Sequence, residues 1–350
     1  MKKENIKMRC CGHDERWSIP EPVETVTSGK AWTNWGADNQ FPNTLYECYT
    51  DCSILGSVIN AVSDYVAGSG VTGDDPVVNR EGEKLSELLQ RVVLDYVIFG
   101  QFSIQIIRNK LGEIKELNYI DVRNCRLNED GDKVYYCKAW GKYARNVVEY
   151  DRWQDGVEHP VSVFYYKNPK ARNVYAQPMW GAALRDALTC IEASKSNYMS
   201  LLNGFAPNTI ISFTNGTPSD DVQDEVEALV MDKFTGSDGS RLMLTWSDSK
   251  EQAPEVKSFT TEDYTQRYEA VMNASKANIL AAFRVSAQLV GIASQETGFS
   301  NIEYRESFNI FKTTVVRTIQ SEIERAFKKI GYEFTLNEFM LPASDENNTI

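Results

Sequence analysis

Six residues, Gly68-Ser69-Gly70-Val71-Thr72-Gly73, have the G-x-G-x-x-G spacing of a dinucleotide-binding turn. Such a turn binds a pyrophosphate when a strand precedes it and a helix N-terminus follows, because backbone N–H groups then point at the phosphates. Here a predicted helix precedes the glycines, and Asp74-Asp75-Pro76 follows, whose carboxylates would repel a phosphate. We interpret the segment as a turn and keep a cytosolic nucleotide-dependent enzyme as the alternative.

Residues that bind metals are sparse. The chain has only two histidines, His13 and His159, and seven cysteines. Cys10-Cys11-Gly12-His13 offers three potential ligands, but zinc sites usually use two spaced pairs, and no second pair has that spacing. Cys48 and Cys52 lie four residues apart on a predicted helix, where small buried side chains are the simpler interpretation. We therefore predict no metal and no cofactor.

Signs of covalent catalysis are also missing. The G-x-S-x-G pattern of a serine nucleophile is absent, and two histidines leave little room for a Ser-His-Asp triad. With 49 acidic residues in 350, paired carboxylates are expected by chance. The sequence predicts no catalytic residue and a protein that is not an enzyme.

Composition describes a folded, acidic protein. A hydrophobic content of 42% in 350 residues suffices for one large or two to three modest domains. The net charge of −12 disfavours a free-standing nucleic-acid binder, which attracts phosphates with excess Lys and Arg. No apolar run reaches the ~18 residues of a membrane span, and the N-terminus lacks the apolar segment of a signal peptide. Seven dispersed cysteines suit reduced thiols, so we expect a cytoplasmic protein without membrane contact.

The spacing of apolar residues predicts helices and strands in mixed order. The predicted helices are 53–68, 83–100, 183–204, 219–234, 261–285 and 302–330. The predicted strands lie at 101–109, 114–122, within 125–140, at 208–213, 241–246 and 255–261. Residues 1–40 are predicted to form an irregular arm, and 335–350 a frayed tail. Because there is no regular βαβ rhythm, we predict an α+β fold.

Three segments are candidates for contacts with other molecules. The basic stretch Lys167-Asn168-Pro169-Lys170-Ala171-Arg172-Asn173 is either a solvated loop or an exposed contact. Residues 293–301 interrupt two helical stretches with small polar residues, and form either a helix–helix turn or a mobile contact loop. The apolar stripe from Phe308 to Ile330 is longer than one small domain needs. We predict that it packs within its domain and also touches a neighbouring subunit.

Several segments, taken in order, resemble the HK97-like family of phage portal proteins. The first are Asp38-Asn39-Gln40-Phe41-Pro42, the helix end Val66-Ala67-Gly68-Ser69-Gly70-Val71, and the helix-to-strand joint from Asp95 to Gln105. Trp180-Gly181 and the segment from Asn203 to Ile211 follow. The most specific is Ala277 to Gly291, succeeded by Phe299-Ser300-Asn301-Ile302-Glu303. Ser286 stands where the family usually has proline, and the chain ends soon after its last helix, so the resemblance implies a short or missing crown.

The resemblance implies a portal fold with wing, stem and clip parts. The parts would be an N-terminal arm at 1–40, wing at 41–145 and 204–291, clip at 146–180, stem helix at 181–203, tunnel loop at 292–302, a long wing helix at 303–334 and a tail at 335–350. The DNA-facing tunnel-loop residues would be Ser294, Gln295, Glu296, Thr297, Gly298, Phe299, Ser300 and Asn301. The partner-facing clip residues would be Lys167, Asn168, Lys170, Arg172 and Asn173, and the subunit-interface residues Phe308, Phe311 and Val315.

The resemblance also implies the protein's partners and place. The chain would form a homo-oligomeric ring, usually of twelve subunits, at one capsid vertex of a virion, after assembly in the host cytoplasm. Double-stranded DNA would pass through it without sequence specificity, and the partners would be the terminase large subunit, a head–tail adaptor and the major capsid protein. DNA carries one negative charge per ~1.7 Å, so an acidic body would keep it from adhering. Another head–tail connector ring protein is the remaining alternative.

Overall fold

The structure is a computed structural model that describes residues 9–10, 23–26, 31–141, 144–202, 210–213, 216, 218–226, 243–246, 261–292 and 301–339. The chain divides into two compact units. The first contains residues 1–18 and 189–274, and the second contains residues 19–188 and 275–350. The predicted mixture of helices and small sheets is confirmed, and the fold is α+β.

The first unit contains a three-stranded sheet. Its strands are β1 (Arg9–Cys10), β10 (Ile210–Phe213) and β11 (Met243–Trp246), in the order β1-β11-β10. β10 pairs with β11 in parallel and β1 pairs with β11 antiparallel. Phe213 stacks on the buried Trp246 with ring centroids 5.9 Å apart. The predicted strand at 255–261 and most of the predicted helix at 219–234 lie outside the described residues; residues 220–226 of that helix are helical.

The second unit is built on a six-stranded sheet. The strands are β4 (Gln101–Arg108), β5 (Ile114–Ile120), β6 (Cys125–Leu127), β7 (Lys133–Tyr136), β8 (Val148–Arg152) and β9 (Val161–Lys167). Their order is β5-β4-β9-β8-β7-β6, antiparallel except for the parallel pair β8–β9. β4 is paired on both sides, and Phe102, Ile104 and Ile106, which share one face of it, are fully buried.

Helices pack against one another and against this sheet. They are α1 (Phe41–Asp51), α2 (Ser53–Ala67), α3 (Leu85–Phe99), α4 (Leu184–Leu202), α5 (Thr261–Phe283), α6 (Asn301–Phe311) and α7 (Arg317–Lys329). Short 3₁₀ helices cover Val122–Asn124, Gly181–Ala183 and Ala287–Val290. Within the second unit α2 packs against α1, α3 and α7, so its apolar stripe of Val58, Val62 and Val66 is fully buried. The helices α4 and α5 belong to both units along the chain.

The joint between α3 and β4 depends on a glycine. At the start of α3 the Glu87 carboxylate accepts the Lys84 N–H at 2.8 Å, which is the glutamate half of a capping box. The helix ends at Gly100, whose φ of 72° is left-handed. A Cβ atom there would lie 2.7 Å from the Gln177 carbonyl oxygen. The close approach of residues 176–177 therefore requires glycine at this point.

The last long helix is not the uninterrupted α-helix predicted for 302–330. A π turn, Lys312–Val316, separates α6 from α7. A π turn adds a residue to the helical turn without breaking the apolar stripe, so apolar spacing alone does not reveal it. The residues that the stripe predicted as apolar still face inward, with Ile319, Ile323 and Phe327 buried.

The prediction of an irregular arm for residues 1–40 is wrong for the parts of it that the structure describes, which contain β1 and two further strands. Glu24–Val26 (β2) and Thr33–Trp35 (β3) form an antiparallel pair. Trp35 is 2% exposed and Asn39 is 4% exposed. Few apolar residues mark this segment, and its order comes from aromatic stacking and polar contacts that its own periodicity does not encode.

Candidate contact surfaces for partners and DNA

The basic loop, residues 167–173, follows β9 directly. The Asn168 side-chain oxygen accepts the Lys170 N–H at 2.9 Å, and the Asn168 carbonyl accepts the Ala171 N–H at 2.9 Å. The Asn168 N–H donates to the Gly100 carbonyl at 2.9 Å, which ties the loop to the α3–β4 joint. The loop is therefore a defined turn on the second unit.

The three cations of the basic loop differ. The Lys167 ammonium donates to the carbonyl oxygens of Asn173 at 2.7 Å and Val174 at 3.3 Å, and burial lowers its pKa. Lys167 therefore closes the loop from inside, whereas Lys170 and Arg172 are exposed, as is Asn173. Only Lys170 and Arg172 offer charge to a partner.

Behind the loop, the chain is anchored on the N-terminal hairpin. The Glu24 carboxylate accepts the N–H groups of Val174 at 3.0 Å and Tyr175 at 2.7 Å. The Tyr175 ring stacks on Trp35 with centroids 4.8 Å apart, and its hydroxyl donates to the Thr33 carbonyl at 2.6 Å. These contacts make residues 167–175 a rigid support for the two exposed cations.

The segment predicted as a clip, 146–180, shares its sheet with the segment predicted as wing. β8 pairs with β7 and β9 pairs with β4, so the boundary at 145/146 falls inside one sheet. The division between the compact units comes later, at 188/189. Periodicity did not reveal this, because β4, the antiparallel partner of β9, lies far away along the chain.

The predicted interface residues lie inside the subunit. Phe308, Phe311 and Val315 are 6%, 2% and 2% exposed. The rings of Phe308 and Phe311 both lie 5.7 Å from the ring of Tyr65 on α2. Any part they play between subunits is indirect. Among the exposed residues of α6, Ile310 is large and apolar; it is 66% exposed and was not singled out from the sequence.

Most of the predicted tunnel loop lies outside the described residues. This applies to Ser294, Gln295, Glu296, Thr297, Gly298, Phe299 and Ser300. Asn301, the last of the set, is the first residue of α6. Before the loop, the chain is held in place at Leu289, whose carbonyl accepts the Tyr65 hydroxyl at 2.9 Å.

A buried arginine was missed by sequence reasoning. The Arg126 guanidinium donates to the Asn39 side-chain oxygen, to the Asn39 carbonyl at 2.9 Å and to the carbonyls of Arg123 and Cys125 at 2.8 and 2.7 Å. The rings of Trp140 and Trp35 lie 4.8 and 5.6 Å from it. Burial lowers the pKa of Arg126. The site is full and closed, so it stabilises the fold and does not bind a ligand.

A buried acid lies on α3. The Asp95 carboxyl accepts the Tyr119 hydroxyl at 3.0 and 3.1 Å and also a backbone N–H of Val122. Burial raises the pKa of Asp95 well above its usual value, with the nearby Asp121 adding to the effect. Arg123 pairs with Asp121 at 2.5 Å and leaves Asp95 without an ion partner of its own. This arrangement favours a neutral Asp95.

The glycine segment 68–73 does not have the geometry of a phosphate site. α2 precedes it, and the next helix begins at Leu85. Gly70 and Val71 instead pair with the C-terminal segment: the Asn337 N–H donates to the Gly70 carbonyl at 2.8 Å, and Val71 forms a β-bridge with Leu336. A Cβ at Gly68 would lie 1.8 Å from the Asn337 carbonyl oxygen. The glycines serve this close packing.

The other chemical candidates are also accounted for. Cys48 and Cys52 are buried, and burial raises the pKa of Cys48 to about 12, so its thiol is unreactive. Cys11, Gly12 and His13 lie outside the described residues. Among the described residues, no group of three or more His, Cys, Asp or Glu side chains is arranged to hold a metal ion. In the same part of the chain no helix is both long and apolar enough to cross a membrane.

Comparison with known proteins identifies the family. The model of the phage portal protein family matches residues 81–346, more than half of the chain. The chain belongs to the phage portal protein family. Proteins of this family are structural rather than enzymes. The membership predicted from the sequence is thereby confirmed.

Solved structures with a similar fold include chains of gene transfer agent (GTA) particles. A chain of the virion of a native gene transfer agent (GTA) particle is 17% identical, with a TM-score of 0.54 over 85% of this chain and 83% of the other. A chain from the neck of an empty GTA particle, computed with C6 symmetry, is 14% identical, with a TM-score of 0.55 over 87% and 85%. An HK97 family phage portal protein from Corynebacterium diphtheriae is 16% identical, with a TM-score of 0.49 over 81% and 89%. No protein with a curated description matches the chain in sequence.

Proposed function

We propose that this chain forms a homo-oligomeric ring at one capsid vertex of a tailed phage or related particle, and that double-stranded DNA passes through the ring. The observation that carries the proposal is the family match over residues 81–346. The similar fold of a chain from the neck of a GTA particle supports a place in the virion. A ring of twelve, assembled in the host cytoplasm, is the form that the family resemblance implies.

The exposed apolar side chains of the first unit support assembly. Tyr198 on α4 is 60% exposed and Val271 on α5 is 41% exposed in the single chain. Both helices are long, and in the parts of them that the structure describes within the first unit, 189–199 and 266–274, exposed side chains outnumber buried ones. Such helices are stable when other elements cover them. Neighbouring subunits supply that cover in a ring, and α4, inside the predicted stem 181–203, then lines the channel.

The charge of the chain suits passage without adhesion. A net charge of −12 repels the phosphates of a duplex that carries one charge per ~1.7 Å. Contacts with DNA are then confined to small polar side chains, and we propose that the tunnel loop, 292–302, supplies them. Its Gln295, Thr297 and Ser300 can bind phosphate oxygens in any sequence.

The partners follow from the same role. The terminase large subunit docks on the ring during packaging, a head–tail adaptor replaces it afterwards, and the major capsid protein surrounds the vertex. For the docking contact we propose the exposed cations of the basic loop, Lys170 and Arg172, since Lys167 is engaged inside the loop. The rigid support behind them favours a protein contact.

Electron microscopy of the purified full-length chain tests the ring directly. We expect closed rings in negative stain, with an open centre wide enough for a duplex. A monodisperse monomer at all concentrations would contradict the proposal. The alternative of a nucleotide-dependent enzyme is tested on the same sample, because a bound nucleotide raises the melting temperature of an enzyme and leaves a portal unchanged.

A further inference from the structure

The C-terminal segment Thr335–Phe339, here called the strap, lies along the second unit. The Thr72 N–H donates to the Thr335 carbonyl at 2.8 Å, and the Asn337 N–H donates to the Gly70 carbonyl at 2.8 Å. The Leu336 N–H donates to the Glu324 carboxylate of α7 at 2.9 Å. The strap is therefore held to the turn after α2 and to α7 at the same time.

The end of the strap reaches the π turn between α6 and α7. The Glu338 carboxylate forms an ion pair with Lys312, and its other oxygen lies 3.4 Å from Arg317 Nε. Lys312 is the first residue of the π turn, and Arg317 is the first residue after it. One carboxylate thus joins the two cations at either end of the turn. Next to it the Phe339 ring lies 5.1 Å from the ring of Tyr65.

The π turn is a conformation that needs support. Its extra residue makes it rare, and helices bend at such turns. The Thr313 and Thr314 hydroxyls donate to the carbonyls of Asn309 and Ile310, each at 2.8 Å, a pattern that also bends helices. The turn sets the direction of α6 relative to α7, because both helices continue from it without a loop.

We propose that Glu338 is a latch that holds the π turn closed and so fixes the direction of α6. With the carboxylate in place, Lys312 and Arg317 are held at a set separation on either side of the extra residue. When the strap leaves this position, the like charges of Lys312 and Arg317 repel each other, and the π turn can then change its conformation. Glu338 is a positioning residue in this scheme and contacts no DNA or partner.

Glu338→Gln tests the latch, with Glu333→Gln as a matched control. Both glutamates lie in the segment after α7, and both pair with a lysine, Glu333 with Lys328 at 2.7 Å. Only Glu338 bridges the π turn. Hydrogen exchange of the purified full-length chain, followed by mass spectrometry, measures the opening of each segment.

We expect Glu338→Gln to speed amide exchange in residues 309–318 by at least about threefold, while β4 peptides and the Glu333→Gln protein keep wild-type rates. Lys312→Met should speed exchange less than Glu338→Gln, because it removes the ion pair but also removes one of the two like charges and leaves the Arg317 contact. Unchanged exchange in 309–318 would overturn the latch. Equal acceleration in β4 would also overturn it, since Glu338 would then stabilise the whole unit.

The consequence for the particle, that release of the strap redirects α6, rests on the proposed function. The latch and the formation of rings can be tested separately. Exchange on the purified chain reports the latch whether or not rings form. Absence of rings in the wild-type chain would contradict the proposed function and leave the latch result standing.

Discussion

The guanidinium of Arg126 and the amide of Asn39 meet in the interior of the second unit, 87 positions apart in the chain. This contact joins the segment between β3 and α1 to strand β6. Amide and carbonyl oxygens, rather than a carboxylate, accept the hydrogen bonds of the Arg126 guanidinium. Two tryptophan rings, Trp35 and Trp140, enclose it.

We expect Arg126→Ala to lower the free energy of unfolding by about 3 kcal/mol or more, because it leaves the buried carbonyl of Asn39 and the half-buried carbonyl of Arg123 without these donors, each costing about 1–3 kcal/mol. Arg126→Lys should recover little of the loss, since one ammonium cannot reach all these oxygens. Denaturant titration gives the values. The exposed Arg172→Ala is the control and should change stability within ~0.5 kcal/mol. A small effect of Arg126→Ala would mean that water fills the site.

Asp95 predicts a dependence of stability on pH. Burial raises the folded-state pKa of this acid, so between its unfolded value and the raised value the folded chain holds a proton that the unfolded chain releases. Stability from this group is thus greatest at low pH and is lost as pH rises through that window, by up to about 1.4 kcal/mol per pH unit. We expect Asp95→Asn to remove this slope and to stabilise the chain at neutral pH.

Urea titrations across a range of pH measure this slope. Asp64→Asn, at an exposed position on α2, is the control and should keep the wild-type slope. If Asp95→Asn also kept it, another group would carry the pH dependence.

The inward and outward faces of α6 predict different outcomes. Phe311→Asp should destabilise the single subunit by about 4 kcal/mol, because it removes a buried ring and buries a charge. Ile310→Asp should change subunit stability within ~0.5 kcal/mol. If a neighbouring subunit covers this face, Ile310→Asp also weakens the ring. Circular dichroism and light scattering separate folding from assembly. Intact rings from Ile310→Asp would remove this face from the interface.

In the basic loop, too, we expect exposed residues to affect partner binding and the hydrogen-bonded lysine to affect stability. Replacing Lys170 and Arg172 together with Ala should leave the melting temperature and the ring unchanged and weaken binding of terminase or adaptor. Lys167→Ala should instead lower stability by about 1 kcal/mol, because it removes donors to two carbonyls. Pull-down with each partner gives the comparison. Full partner binding by the double variant would show that docking lies elsewhere.

The tunnel loop is tested in the particle. Replacing residues 294–299 with a Gly-Ser linker of equal length should preserve the ring and impair DNA packaging or retention. The linker keeps the chain connected and removes the polar side chains of Gln295, Glu296 and Thr297. Packaged genome length and titre are the readouts. Wild-type values for both would reduce the segment to a helix–helix turn.

Local pattern was sufficient for the secondary structure of long elements. The four-residue spacing of Val58, Val62 and Val66 predicted α2, and a glycine marked the end of α3 at Gly100. The family, too, was evident from the order of short segments. These features depend on neighbours in the chain, so the sequence alone reveals them.

Contacts between distant residues were not predictable in this way. Phe311 was correctly placed on an apolar stripe, but periodicity states only that a side chain is covered and not by what. Tyr65, on α2, covers it within the same subunit. Likewise, the spacing of Gly68 to Gly73 gave no sign that the strap would pack against it.

Composition and apolar periodicity by themselves determined that the chain is acidic and folds as α+β. The tertiary structure alone decided which charged side chains form hydrogen bonds within the fold and which remain exposed. Arg126, Lys167 and Arg172 are all basic in the sequence, yet Arg126 is buried and Lys167 half-buried, both donating to carbonyl oxygens, whereas Arg172 is exposed. The reason is physical: the cost of burying a charge depends on the donors and acceptors that folding brings to it, and these come from distant parts of the chain.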